Sequence, residues 1–257
     1  MKVLIKLGGT LLDSVDSRGR LASEISAAIQ QGLQAAVVHG GGKQMTAFLA
    51  ERGVESRFVN GLRVTTPEVL DAVLKVLGGS VNQELVAALN AAGTKAVGLS
   101  GMDALITEAC RLSEELGFVG KPIHSDSALI ELLICEGYLP VIACVAGDRQ
   151  GNLYNVNADQ MASSIASAMR VDKLLFFTDV DGVKDRDGAV YPVVSSSQCN
   201  ALIEKGIATG GMRAKLEAAC LAVGQSVGEV VIAPGARPNA LRELLNGCPV
   251  GTRLVKD

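Results

Sequence analysis

The chain has 257 residues, 48% of them apolar and 20% charged, which is enough for one large α/β domain or for two lobes that share a sheet. Its net charge is −3, it has no Trp, and aromatic residues make up only 3%. Proteins that bind nucleic acid use basic surfaces and stack bases on aromatic rings, so the composition argues against that partner. An anionic ligand would need a local positive site.

The six cysteines are scattered and form no C-x-x-C pair. The chain opens in a strand pattern without a signal peptide, and no stretch of about 20 apolar residues is free of charge or glycine. We therefore expect a cytoplasmic protein without a membrane partner, whose cysteines are reduced and fill the core.

Apolar runs alternate with helical patterns along the chain. Thr66-Pro67 predicts a helix start, Gly78-Gly79 predicts its end, and Ser80 is expected to begin another helix. The predicted strands are 3–7, 35–38, 95–99, 139–145, 172–177 and 229–233, and the other predicted helices are 20–31, 43–52, 125–136, 159–169 and 212–225. This alternation predicts an α/β three-layer sandwich with a mostly parallel sheet.

Two segments, 103–119 and 147–156, are short, polar and punctuated by glycine, which predicts hairpins over the sheet edge. Asp185-Arg186-Asp187-Gly188 predicts a further turn. A soft boundary near residue 170 divides a first lobe, 1–170, from a second, 171–257, within one continuous sheet.

Two glycine turns follow predicted strands. Lys6 precedes Gly8-Gly9, and His39 precedes Gly40-Gly41-Gly42. Ligands of an open parallel sheet collect beyond the carboxyl ends of its strands, and glycines let backbone amides approach phosphate or carboxylate oxygens. Tight turns without a ligand are the alternative, and His39 is interpreted as structural. Neither turn matches a P-loop or a dinucleotide fingerprint.

Polar side chains gather at three further places. Arg63 follows a turn and could clamp a carboxylate, or be merely solvated. Asn155, Asn157 and Asp159 alternate with apolar residues, so an extended segment would place them on one face, although Asp159 could simply cap the next helix.

The second lobe offers two turns. Thr178-Asp179-Val180-Asp181-Gly182 ends a strand and could hold the sugar and base of a nucleotide. Thr209-Gly210-Gly211-Met212 opens a helix and places Lys215 early in it, either facing phosphate or as an ordinary helix lysine. Two aspartates are weak evidence for a fixed metal cage, so we predict no protein metal site.

Together these motifs resemble the amino-acid kinase family, and within it the branch that acts on acylglutamate. The resemblance covers essentially the whole chain. It includes K-L-G-G at the start, V-H-G-G-G, N-G-L-R-V-T at 60–65, G-L-S-G at 98–101, G-F-V-G at 117–120, N-V-N-A-D-Q at 155–160, T-D-V-D-G-V at 178–183 and G-G-M-x-x-K ending at 215. N-G-L-R-V-T and N-V-N-A-D are the parts most specific to that branch.

The resemblance implies roles for the matching residues. Lys6 and Lys215 would stabilise charge on a transferring phosphoryl group, with Asp159 holding both. Gly41 and Gly42 would bind the reacting carboxylate of the substrate. The remaining roles are the substrate residues Arg63, Asn155 and Asn157, and the ATP residues Gly8, Gly9, Thr178, Asp179, Val180, Asp181, Gly182, Val183, Thr209, Gly210, Gly211 and Met212.

The activity so implied is ATP-dependent phosphorylation of the γ-carboxylate of N-acetyl-L-glutamate in arginine biosynthesis, with Mg²⁺ carried by the nucleotide. N-succinylglutamate or another acylated acidic amino acid is an alternative substrate. A non-catalytic amino-acid sensor of the same fold is an alternative of another class. The absent fingerprint disfavours a dehydrogenase.

Relatives inhibited by arginine carry an extra N-terminal helix, whereas here a strand is predicted from residue 2. We therefore expect an arginine-insensitive homodimer paired through the first lobe. Two departures from the family concern fine specificity. After G-L-S-G the chain continues as Met102-Asp103-Ala104, and Ala104 follows the aspartate where a second glycine is common. Arg213 stands where an apolar residue is common.

Overall fold

The computed structural model describes all 257 residues. Its strands are β1 (Lys2–Leu7), β2 (Gln34–His39), β3 (Phe58–Val59), β4 (Leu62–Arg63), β5 (Ala96–Ser100), β6 (Thr107–Arg111), β7 (Val119–Ser125), β8 (Leu139–Ala143), β9 (Val145–Gly147), β10 (Leu153–Val156), β11 (Lys173–Thr178), β12 (Val193–Ser195), β13 (Glu229–Pro234) and β14 (Thr252–Val255).

The α-helices are α1 (Val15–Gln30), α2 (Gly42–Ala50), α3 (Pro67–Lys75), α4 (Asn82–Ala91), α5 (Ala128–Cys135), α6 (Ala158–Met169), α7 (Ser196–Glu204), α8 (Gly210–Val223) and α9 (Ala240–Leu245). Short 3₁₀ turns cover Gly9–Leu12 and Asp103–Leu105. No helix is both long enough and apolar enough to span a bilayer.

The main sheet has eight strands in the order β12-β14-β13-β11-β1-β2-β8-β5, and only the β13–β14 pair is antiparallel. The prediction of a mostly parallel sheet between two helical layers is therefore confirmed. β1 lies in the middle, with β2 on one side and β11 on the other. The carboxyl end of β1 thus faces the point where the strand order reverses, which is where open α/β sheets bind their ligands.

Each face of the sheet carries its own core. Val3, Ile5 and Leu7 of β1 belong to one apolar cluster, and Leu4 belongs to the other. Because successive strand residues point to opposite faces, Lys6 points to the face of Leu4. α6 and α8 pack on that face, so their side chains can meet Lys6.

The predicted hairpins are confirmed as two antiparallel pairs, β6 with β7 and β9 with β10. They do not lie flat over the sheet edge, however. β10 also pairs with β7, and β6 with β9, which closes the four strands into a small barrel. Local turn signals predict hairpins, but contacts between hairpins depend on tertiary packing.

The predicted break at Gly78-Gly79 is wrong. A π-helical segment, Val76–Val81, joins α3 directly to α4, so the chain stays helical across both glycines. Val76, Leu77 and Val81 are buried there, and this packing offsets the weak helix propensity of glycine. π-bulges are frequent beside functional sites, and this one packs against the glycine turn after β2.

Four elements of the second lobe, β12, α7, α9 and β14, were not predicted. The signal for α7 is present in the sequence, since Ser195 and Gln198 form a capping box. α9 and β14 are only six and four residues long, too short for a clear periodic pattern.

Candidate active site

Lys6 emerges from the carboxyl end of β1, and its ammonium group meets the carboxylate of Asp159 on α6. Lys6 Nζ lies 2.8 Å from Asp159 Oδ1, and the side chains of both residues are more than nine-tenths buried. Parallel pairing of β1 with β2 and β11 holds the backbone of Lys6 rigidly.

Lys215 reaches the same carboxylate from the second turn of α8. Its Nζ lies 3.0 Å from both oxygens of Asp159. Both lysines therefore converge on one carboxylate from positions more than two hundred residues apart, which confirms the spatial arrangement on which the sequence interpretation depended. The alternative of Lys215 as an ordinary helix lysine is excluded, because its side chain is only 8% exposed.

Asp159 is not the cap of its helix. Asn157 is the N-cap of α6, and its Oδ1 accepts hydrogen bonds from the backbone N–H groups of Asp159 and Gln160. The carboxylate of Asp159 is thereby free to face the lysines, in the first turn where the helix dipole favours a negative charge.

The charges of this triad do not cancel. Two ammonium groups face one carboxylate, which leaves one buried positive charge. Burial opposes ionisation of Asp159, yet the two lysines hold its pKa below the usual range. Burial would lower the pKa of Lys6, but Asp159 outweighs burial and raises it. Burial first, and Lys6 second, lower the pKa of Lys215 to about 8.

The turn after β1 bridges the two halves of the site. A Cβ built on Gly9 would lie 2.6 Å from the backbone nitrogen of Gly42, and one built on Gly8 would lie 3.2 Å from the carbonyl oxygen of Phe177. Side chains at either position would push these segments apart. Glycine therefore allows the turn after β1 to approach both the turn after β2 and the carboxyl end of β11.

A cavity of about 190 Å³ opens beside the turn after β2. Gly40, Gly41 and Gly42 form one wall, and Arg63 and Asn155 add polar groups. The other lining residues are Met45, Phe58, Gly61, Leu62, Val73, Leu77, Val119, Cys144, Val156, Asn157 and Ala158. A lining that combines polar donors with apolar side chains suits a small acid that carries an apolar substituent.

Arg63 is anchored by partners that the sequence interpretation missed. Its guanidinium contacts Ser56 Oγ, and Nη2 donates to Thr46 Oγ1 at 2.8 Å and to the carbonyl oxygen of Gly42 at 3.3 Å. Phe58 stacks against the guanidinium at 4.6 Å. The half-buried guanidinium is therefore held in place by the protein, and the carboxylate clamp stays a prediction. Nothing local in the sequence pairs position 63 with position 46.

Asn155 and Asn157 both line this cavity, but their side chains make different hydrogen bonds. Asn155 Nδ2 donates to Thr65 Oγ1 at 3.0 Å, and Thr65 is itself fully buried. Asn157 uses its Oδ1 for capping, as described above. The predicted shared face of Asn155, Asn157 and Asp159 thus divides between two tasks, lining the cavity and holding the lysines.

The turn after β11 lines a second, more open cavity of about 740 Å³. Asp179 and Asp181 contribute to it, together with Arg237. Val183 does not reach this cavity through its side chain, which is buried, and its backbone N–H donates to Thr252 Oγ1 at 2.8 Å. The structure thus separates Val183 from the aspartates of the same predicted motif.

The turn that opens α8 is brought next to the first cavity. Gly210 has a φ of +51°, which favours glycine. A Cβ on Gly61 would lie 3.5 Å from the carbonyl carbon of Gly210. The second-lobe turn therefore touches the β3–β4 hairpin that carries Arg63, and the two lobes are in contact at this point.

The two departures from the family have structural consequences. Ala104 has a φ of +49°, a conformation in which glycine would be unstrained. Arg213 is more than half exposed and pairs with Glu217 one turn along α8 at 2.8 Å. It contacts none of the three residues of the lysine–carboxylate triad.

Comparison with known proteins identifies the family of this chain. The model of the amino acid kinase family matches residues 1–234. The acetylglutamate kinase of Solibacter usitatus is 57% identical over 255 residues, covering 99% of each chain. The solved Streptococcus mutans protein smu.665 is 30% identical with a TM-score of 0.87, covering 100% of this chain and 99% of its own.

The N-acetylglutamate synthase of Neisseria gonorrhoeae shares the fold, with a TM-score of 0.88 at 24% identity, and the aligned region covers 100% of this chain and 59% of the synthase. The chain described here therefore belongs to the amino acid kinase family. The expected family membership and fold are confirmed.

Proposed function

We propose that this chain transfers the γ-phosphoryl group of ATP to the γ-carboxylate of N-acetyl-L-glutamate, an early step of arginine biosynthesis. The observation that carries the proposal is the convergence of Lys6 and Lys215 on one buried carboxylate, that of Asp159. The acetylglutamate kinase that is 57% identical over the whole chain supports the choice of substrate.

The proposed chemistry needs no general base. A carboxylate is ionised at neutral pH, so one of its oxygens can attack the γ-phosphorus directly. The new O–P bond forms as the bond between the γ-phosphorus and the bridging oxygen breaks, and ADP leaves with that electron pair. The protein has to align two anions and stabilise the charge that spreads over the phosphoryl oxygens.

The lysine pair suits this task because it keeps one uncompensated positive charge in a dry site. Lys6 and Lys215 would contact the phosphoryl oxygens in the transition state. Asp159 would keep the two ammonium groups from separating before the anions arrive. A buried charge that is already oriented needs little reorganisation during the reaction, which is the source of its catalytic value.

The first cavity would bind the amino-acid substrate. The amides of Gly41 and Gly42 would hold the reacting carboxylate, and Arg63 with Asn155 would hold the α-carboxylate. Asn157 would complete that wall. Apolar side chains that line the same cavity, Val73 and Leu62 among them, would contact the acyl group.

The second lobe would bind ATP through the turn Thr178–Val183, the turn Thr209–Met212 and the amides of Gly8 and Gly9. No three His, Cys, Asp or Glu side chains come together in the structure as a metal cage. We infer that Mg²⁺ would be carried by the nucleotide phosphates, with most of its ligands supplied by phosphate and water.

The boundary near residue 170 falls between α6 and β11, where the sheet passes from strands of the first lobe to strands of the second. We propose substrate binding and dimerisation for residues 1–170, and ATP binding for 171–257. Ile123, Leu132 and Tyr138 are large exposed apolar residues of the first lobe and offer surface for pairing. A cytoplasmic homodimer insensitive to arginine remains a prediction.

An assay of ADP release tests the proposal directly. The purified chain would be given MgATP with N-acetyl-L-glutamate, N-succinyl-L-glutamate, L-glutamate or L-aspartate. We expect turnover with N-acetyl-L-glutamate above all others. A faster reaction with N-succinyl-L-glutamate would show that this compound is the substrate instead. Binding of one of these acids without any turnover would indicate a sensor. Light scattering would test the homodimer, and the same ADP-release assay with added arginine would test the insensitivity.

A further inference from the structure

His39 is fully buried at the carboxyl end of β2, next to the turn that lines the first cavity. Both ring nitrogens have a hydrogen-bond partner. Nδ1 lies 3.0 Å from the carbonyl oxygen of Gly40, and Nε2 lies 3.0 Å from Nδ2 of Asn82, the first residue of α4. The mechanism proposed above does not use this imidazole.

Asn82 determines which ring nitrogen carries the proton. Asn82 Nδ2 lies 3.0 Å from the carbonyl oxygen of Val141 and 3.4 Å from that of Leu99, and both of these atoms only accept. The amide must therefore turn its NH₂ group toward them, and the same group can only donate to His39 Nε2. Nε2 is thus unprotonated, and the proton of the neutral ring resides on Nδ1.

Gly98 makes room for this arrangement. A Cβ built at position 98 would lie 2.1 Å from Oδ1 of Asn82, so a side chain at this position of the edge strand would displace the amide. This explains the first glycine of the G-L-S-G motif, which the proposed binding roles leave without a task.

The Nδ1 proton in turn orients the peptide that follows Gly40. His39 Nδ1 donates to the Gly40 carbonyl and holds that oxygen toward the protein interior. All peptide bonds are trans, and a trans peptide directs its C=O and N–H groups in opposite directions. The N–H of Gly41 must then point away from the imidazole. It donates to no backbone carbonyl, so it is available to a ligand in the cavity.

We propose that Gly98, Asn82 and His39 form a positioning relay that locks the imidazole as its Nδ1–H tautomer and so aims the Gly41 amide at the bound carboxylate. His39 is a positioning residue in this scheme and transfers no proton. The inference rests on the proposed function only for the identity of the anion.

The relay can be tested by NMR without substrate. The chain has two histidines, so ¹⁵N-histidine labelling gives only two rings, and the exposed His124 provides an internal reference. We expect His39 to show a protonated Nδ1 and a bare Nε2 at pH 7. A protonated Nε2 in the wild-type protein would overturn the proposal, whatever the enzyme phosphorylates.

Kinetics of four variants provide the second arm. His39→Leu and Asn82→Leu should raise KM for N-acetyl-L-glutamate on the order of 10-fold, the effect of weakening one hydrogen bond to a charged group, while KM for ATP stays nearly constant. His39→Asn, whose amide can donate from about the position of Nδ1, should restore most of the affinity. Thr94→Val is the matched control, since it removes another buried hydrogen bond of the first lobe, 2.6 Å to Ser26 Oγ.

The outcomes separate the two proposals. Equal KM values for His39→Leu and His39→Asn, or an equal rise in Thr94→Val, would show a merely structural role and refute the relay. If the wild-type protein phosphorylates none of the acids, the proposed function fails. The NMR arm still decides the tautomer in that case.

Discussion

Lys6 and Lys215 touch the same carboxylate, but they are held in different ways. Lys6 belongs to a central strand with hydrogen-bonded neighbours on both sides. Lys215 belongs to a helix whose first residue, Gly210, is a left-handed glycine and whose N-cap, Thr209, makes no side-chain capping bond. The pKa of Lys6 is raised, whereas that of Lys215 is lowered to about 8.

This difference follows from having one carboxylate for two cations. Asp159 compensates one buried ammonium group fully, and the second is left with burial and a like charge against it. The ammonium group with the lowered pKa is that of Lys215, on α8, the helix that begins at the second-lobe turn. The site is therefore incomplete until an anion arrives, and we infer that the phosphates of ATP supply the missing negative charge.

Removing either lysine tests whether the two act as a unit, and it should have the largest effect. Lys6→Ala and Lys215→Ala should each lower kcat on the order of 10²–10³, because each removes a preorganised positive charge from the transition state. The double variant should be little worse than either single one. Lys75→Ala, at an exposed lysine paired with Asp71, is the control. Steady-state kinetics with either active-site variant near full speed would contradict the assignment.

Arg63→Ala sharpens the comparison by removing a cation that is outside the lysine pair. It should raise KM for the acid substrate on the order of 10–100-fold with a smaller change in kcat, because in the proposed site the guanidinium would hold the substrate in the ground state as well as in the transition state. Arg52→Ala, half exposed at the end of α2, should leave both constants unchanged. A loss of kcat without a change in KM in Arg63→Ala would show that this residue acts in the chemical step and not in substrate binding.

The pH dependence of activity should report the protonation of Lys215, the lysine with the lowered pKa. In the proposed mechanism Lys215 must be protonated to stabilise phosphoryl oxygens, so kcat/KM should fall about tenfold per pH unit above pH 8 as the free enzyme loses this proton. Removing Lys6 removes the second cause of the lowered pKa. The residual activity of Lys6→Ala should therefore show its alkaline limb at a higher pH. An unchanged limb would show that another group titrates.

Two neighbouring glycines give the smallest and best-matched test of the turn that carries Lys215. Gly210→Ala forces a side chain into a left-handed conformation and should lower the free energy of unfolding by about 1 kcal/mol while raising KM for ATP. Gly211 is not in that conformation, and a Cβ there would meet no atom within 4 Å. Gly211→Ala should be close to neutral in thermal unfolding. Equal effects of the two would refute the strain argument.

Much of the site could be predicted because its parts are local. Strand ends followed by glycine, at Lys6 and at His39, are visible in the sequence and occupy the predicted edge of the sheet. Other features were invisible because they join distant segments. Thr46 and Ser56 orient Arg63, and Asn82 reaches His39, although no spacing rule links these positions. Val183 was grouped with its neighbours on the motif alone, and burial separated it from them.

The order of apolar runs, glycine turns and charged residues along the chain determined a parallel sheet with cations at its carboxyl edge, since strand and helix periods depend on nearest neighbours. The meeting of Lys6 and Lys215 on Asp159, the closure of the small barrel and the helix that continues through Gly78 and Gly79 were decided only in three dimensions. In each case burial between distant elements outweighed what the local residues favoured. The excess positive charge of the site was also decided only in three dimensions. Three charged side chains balance or fail to balance one another only when folding buries them together.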